Sequence, residues 1–151
     1  MINFCKKFEE SQDSPITIDG VTYYRLYELN VGNATQIVID VESIKYVWKQ
    51  AVHLSSNKPL SDGKDKSTDI VFWFPKGGLF RSAVKHAECS CEPNSRLKVW
   101  NVWMVDNAIQ SLYNGSAMIV TQIAENKWRF QCNDGHPDDD MNDLIFTLEL
   151  K

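Results

Sequence analysis

Hydrophobic positions recur along this chain with two periods, and the period assigns most elements. An amphipathic opening, "MINFCKKFEESQ", puts Ile2, Cys5 and Phe8 on one side and predicts a short N-terminal helix. "ITIDGVTYYRLYELN" alternates, with Val21, Tyr23, Arg25, Tyr27 and Leu29 on one face. Asp19-Gly20 is a two-residue hairpin signal ahead of that run. "VGN" turns the chain, and "TQIVIDV" reads as a further strand. The period then changes: Ile44, Val47, Trp48, Ala51 and Leu54 fit helical spacing, with Ser43 at the N-cap.

Residues 55–68, "SSNKPLSDGKDKST", are polar and rich in turn formers, and are expected to be the longest loop. "DIVFWF" is a nearly continuous apolar run, which suits a buried strand. Leu79, Phe80, Ala83, Val84 and Ala87 fit a helix, with a hairpin strand as the competing assignment; "CSCEPNS" reads as a loop. In "RLKVWNVWMVDNAIQSLYNG" Leu97, Trp100, Met104, Ala108 and Leu112 fit one helical stripe, while Val99, Val102, Trp103 and Val105 favour a strand to about Val105, which is the preferred assignment. A helix over 106–114 follows, capped by Asp106 and closed by Gly115. The last third, "SAMIVTQIA", "KWRFQC" and "DLIFTLEL", predicts a three-stranded antiparallel meander. Trp128, Phe130 and Cys132 share one face, as do Leu144, Phe146, Leu148 and Leu150. The fold class expected from these elements is α+β: one domain over 1–151, mainly antiparallel sheet with two to four helices packed on it.

Composition leaves that picture intact. A chain of 151 residues with 43% hydrophobic residues and five tryptophans can bury a core without disulfides. "MINFCKKFEESQ" is too polar for a secretory leader, and no apolar run has membrane-spanning length. A cytoplasmic setting is therefore expected, with Cys5, Cys89, Cys91 and Cys132 as thiols.

Charge adds more. The net charge is −4, opposite to the usual nucleic-acid footprint, so neither nucleic acid nor membrane is expected as a partner. Residues 58–98 are net positive, with 8 basic and 5 acidic groups, whereas 101–151 carry 3 basic and 8 acidic. The excess concentrates in "CNDGHPDDDMNDLIF", which holds five aspartates and no lysine or arginine. Like charges crowded together repel, and a cationic partner relieves that repulsion. Asp134, His136, Asp138, Asp139, Asp140 and Asp143 are thus the candidate contacts to a basic protein. The competing reading of the same run is a solvated connection between two strands.

His86, Cys89, Cys91, Cys132 and His136 could together form a zinc or small-enzyme site, but C-x-C is tighter than the spacing of structural zinc sites. Cys132 also keeps phase with Trp128 and Phe130, as a core thiol would. His86-Ala-Glu88 lacks the separate P-C-x-x-C of the zinc deaminases. "DGHPDDDMND" lacks the alternation and terminal glutamate of an EF-hand. "PKGG" is too short for a phosphate-binding loop, and "NGSAM" is not a nucleophile elbow. The expectation is a non-enzymatic protein with no cofactor and no resident metal.

In size, acidity, absence of a catalytic motif and aromatic-rich α+β pattern, the chain resembles the immunity proteins of bacterial polymorphic and contact-dependent growth-inhibition toxins. That resemblance is one of overall type and assigns no residue. It implies a cytosolic inhibitor that binds a toxin domain, such as a basic nuclease, and covers its active site.

Overall fold

In a computed structural model, residues 2–45, 48–74, 85–112, 116–134 and 140–151 are described. They contain one α-helix, α1 (Phe4–Glu10), and twelve strands. The strands are β1 (Ile16–Ile18), β2 (Val21–Tyr23), β3 (Tyr27–Asn30), β4 (Gln36–Ile44), β5 (Lys49–Ser61) and β6 (Lys66–Phe74). They continue with β7 (His86–Ser90), β8 (Arg96–Val105), β9 (Ala108–Ser111), β10 (Ala117–Ala124), β11 (Lys127–Asn133) and β12 (Leu144–Leu150).

Apart from the small β1–β2 hairpin, the strands form one ten-stranded antiparallel sheet, with the path β10-β11-β12-β4-β7-β5-β8-β3. Strand β6 lies against β5, and β9 against β8. The sheet curls until it nearly closes. Tyr24, just ahead of β3, exchanges two 2.8 Å backbone hydrogen bonds with Met118 of β10, the strand at the other end of the path.

One register runs through the centre of this barrel-like sheet. Tyr27 faces Val99 and Asp40 faces His86, a step of 13 residues on either strand, so β3–β4 and β7–β8 behave as two long bent strands. Across the bend the ladder continues through Val31 N–H to Ser95 O and Cys91 N–H to Thr35 O. Gly32 supplies the left-handed backbone (φ +58°) that the corner needs.

The core lies inside the curl. Alternation sends Ile37, Ile39 and Val41, Val52 and Leu54, Leu97 and Val99, Phe130 and Cys132, and Leu144, Phe146 and Leu148 to one cluster. Phe130 and Phe146 stack at 4.6 Å, and Tyr27 meets Phe130 edge-on at 5.7 Å near the closing seam. A second, smaller cluster holds α1 against the sheet through Phe4, Phe8, Ala117 and Met141.

The fold class therefore differs from the α+β expectation: strand makes up 64% of the chain and helix 5%. The sheet covers its own apolar face by curling, so helices are not required for that task. The N-terminal helix, the Asp19-Gly20 hairpin and the C-terminal meander form where the pattern places them. The helix expected from Ser43 through Leu54 is instead the end of β4 and the first half of β5. The helix expected over 106–114 gives way to β9. Asp106 and Asn107 both take positive φ (48° and 66°) and make a tight β8–β9 hairpin turn. Most of the expected 55–68 loop belongs to β5 and β6, with a turn at 62–65 in which Asp62 accepts from the N–H groups of Lys64 and Asp65. Cys89 and Ser90 lie in β7 rather than in a loop. The segment expected as a helix from Leu79 is outside the described residues up to Val84, and β7 begins at His86. No helix among the described residues is long and apolar enough to cross a membrane.

Candidate functional site

The acidic segment leaves the sheet at the end of β11 and returns at the start of β12, at one end of the barrel. Its two legs are tied down from below. Asp134 is 2% exposed and Asp143 is 4% exposed. The Asp134 N–H donates to Asp143 Oδ2 at 3.0 Å, and the Asp143 N–H donates to Cys132 O at 3.0 Å. Met141 N–H donates to Asn133 Oδ1 at 3.0 Å, while its side chain packs with Phe4 and Phe8 under α1.

The barrel wall completes the anchorage. Gln50 Nε2 donates to Asp134 Oδ2 at 2.9 Å, and Asn101 Nδ2 donates to Asn133 O at 2.8 Å. Both amide side chains are fully buried. Their orientation follows from register. Gln50 shares its face of β5 with Val52 and Leu54, and Asn101 shares its face of β8 with Leu97 and Val99. Asp134 continues the inward series Trp128, Phe130, Cys132 of β11, one step past the Ala117–Asn133 pair, and buried Ser116 stands across from it. The inner wall thus changes from apolar to polar at this end: Gln50, Asn101, Ser116 and Asp134 form one buried layer beneath the acidic segment.

Of the six expected contact residues, Asp134 and Asp143 are buried and hold the segment in place. Asp140 is on the outside and pairs with Lys45 Nζ, at side-chain exposures of 39% and 40%. His136, Asp138 and Asp139 lie outside the described residues. Gln50 and Asn101 were not singled out from sequence. The only signal for them is a polar residue breaking the apolar alternation of a strand.

The competing His/Cys set does not converge where it is described. His86 is on the outer face, with Nδ1 2.6 Å from Asp40 Oδ1 and Nε2 3.3 Å from Glu88 Oε2. These two carboxylates raise its pKa, that of Asp40 most. Cys89, two positions from Cys91 on β7's register, turns inward with it, and Cys132 sits in the core on β11. Burial pushes the Cys89 thiol up to about 12 and raises that of Cys132 well above the ordinary thiol value. A thiolate is the form that binds metal or attacks a substrate. Among the described residues, no three His, Cys, Asp or Glu side chains are grouped to hold a metal ion. His136 is outside the described residues.

No protein-family model matches the chain, and comparison with curated proteins finds no relative.

Proposed function

We propose that this protein is a non-enzymatic, cytosolic inhibitor of immunity type, which binds a basic protein partner through the acidic segment and covers that partner's active site. The observation that carries this reading is the anchorage of the segment. Buried Asp134 and Asp143, with Gln50, Asn101 and Asn133, fix both of its legs to the barrel end. A charged segment whose legs are pinned loses less conformational entropy on binding than a free one. Asp138, Asp139 and Asp140 supply the charge in this reading. Their carboxylates take the place of the phosphates that a nuclease binds.

The contact surface is narrower than six residues, because Asp134 and Asp143 are committed to the fold. The test is co-expression with each reading frame that adjoins this gene. One of them should arrest growth when expressed alone and be tolerated when this chain is present. The two purified proteins should form a stable complex. If no adjoining product is toxic, or if a toxic one is neither bound nor neutralised, the reading fails.

A further inference from the structure

The net-positive stretch 58–98 has no role in the acidic segment, yet its last two basic residues, Arg96 and Lys98, line a groove of their own. The groove has a volume of about 650 Å³ and lies across β3, β8 and β5. Register gathers its polar side chains. Asn30 faces Arg96 and Glu28 faces Lys98 across the β3–β8 ladder, and Lys98 faces Ser55 across β8–β5. Directly opposed side chains on one face start about 5 Å apart. Alternation puts Glu28, Asn30, Arg96 and Lys98 on the outer face, away from Leu29, Leu97 and Val99. Asn57 joins them from β5, because the Arg96 N–H donates to Asn57 Oδ1 at 2.7 Å.

The groove is rich in donors and short of acceptors. Asn57 Oδ1 is taken by the Arg96 N–H, and Asn30 Oδ1 accepts from the Gly32 N–H at 2.8 Å. An amide whose oxygen is committed offers its NH2 group, with two donors. Among the described residues, neither NH2 group nor the Arg96 guanidinium has a hydrogen-bond or ion-pair partner. Lys98 meets Glu28 at 3.9 Å, with both side chains more than half exposed, which is a loose pair. Asp69, the next carboxylate along the sheet, is occupied by His53 at 2.9 Å and by Ser55.

We propose that this groove binds the phosphate group of a small organic phosphate, with Arg96 as the anchor, Asn30 and Asn57 on either side of it and Lys98 as the second charge. A guanidinium grips two oxygens of an oxyanion in a fork. That grip alone uses both oxygens of a carboxylate. A phosphate monoester has three terminal oxygens and a charge near −2, so it can also take the two amides and the ammonium. Ligand pockets have volumes of about 300–1,000 Å³, so the groove has room for an organic group beyond the phosphate. The site is independent of the acidic segment and of any protein partner.

The test is an NMR titration of the full, 15N-labelled chain with phenyl phosphate, in low-salt buffer free of phosphate. The backbone N–H signals of Asn30, Asn57, Arg96 and Lys98 should shift together and saturate at millimolar concentration. Arg96→Gln should weaken binding about tenfold or more, the effect of losing a charge-assisted hydrogen bond. Arg96→Lys should weaken it too, since the fork is lost while the charge stays. Glu28→Gln should tighten it several-fold by releasing Lys98 and removing the one carboxylate that lines the groove. Arg129→Gln should change nothing, because Arg129 is engaged with Glu42 elsewhere on the sheet. All these side chains are at the surface, so the fold should persist, and the same spectra verify that it does.

A pH series gives a second readout. The ester takes up its second proton near pH 6, so binding should weaken as pH falls from about 7.5 to about 5. Benzoate keeps its single charge over most of that range. It should bind several-fold more weakly and show little pH dependence. The proposal is overturned if phenyl phosphate moves none of the four signals at about 10 mM, or if the shifts survive Arg96→Gln. It is also overturned if benzoate binds as tightly at matched ionic strength, which would make the groove a patch of general positive charge.

Discussion

Asp134 shows how one residue can be acidic for the sake of the fold. Its carboxylate accepts from Gln50 and its N–H is held by Asp143, all within the buried layer. Asp134→Ala would leave Gln50 Nε2 buried without that acceptor and remove one support of the segment. A buried polar group that loses its partner costs about 1–3 kcal/mol. Urea unfolding should show that loss in the midpoint with little change in slope, because the surface exposed on unfolding barely changes. An effect under about 0.5 kcal/mol, the range of ordinary surface substitutions, would place the Asp134 side chain in solvent. The Asp140–Lys45 pair is different in kind. Both side chains are about two-fifths exposed, and surface ion pairs contribute about 0–1 kcal/mol.

At the scale of elements, legibility followed what each strand buries. The meander was readable because Trp128, Phe130 and Cys132, and likewise Leu144, Phe146 and Leu148, put apolar residues at every inward position. Strand β5 was not readable. Its inward series begins with Gln50, and Ala51 on the opposite face is also fully buried, so the period of two dissolves. Ala51 and Leu54 then fit a helical spacing by coincidence. The residue that obscured the strand is the one that anchors the acidic segment, so the fold error and the missed site residue share a cause. The β8–β9 turn was misread for another reason. Asp106 suits a helix cap as well as a tight turn, and only its positive φ separates the two. Phe146 tests the part that was legible. It is fully buried and stacked on Phe130, so Phe146→Ala should destabilise by about 3–5 kcal/mol in urea or thermal unfolding. A loss below about 1 kcal/mol would contradict a packed interior at β12.

At the scale of the whole molecule, a curled sheet carries a pinned, negatively charged segment at one end. The chain's net charge of −4 gives a basic partner a favourable long-range field, and the dense charge near Asp138–Asp140 gives that field a direction. Replacing Asp138, Asp139 and Asp140 together with asparagine keeps side-chain size and removes three charges. The fold should persist, because Asp134 and Asp143 retain the anchorage and the Asp140–Lys45 pair is exposed. Steering acts over roughly the Debye length, about 8 Å at physiological ionic strength, and so governs the rate of encounter. Stopped-flow association with the proposed basic partner, across a salt series, should therefore be slower for the triple variant. Its dependence on salt should also be flatter. Dissociation should change less, since it reports contacts already formed, and any single aspartate seated against a buried arginine would stand out with a cost of about 2–5 kcal/mol. Equal association rates and equal salt slopes for the two proteins would make the segment a solvated connection between β11 and β12, held in place by Asp134 and Asp143 for the sake of the barrel alone.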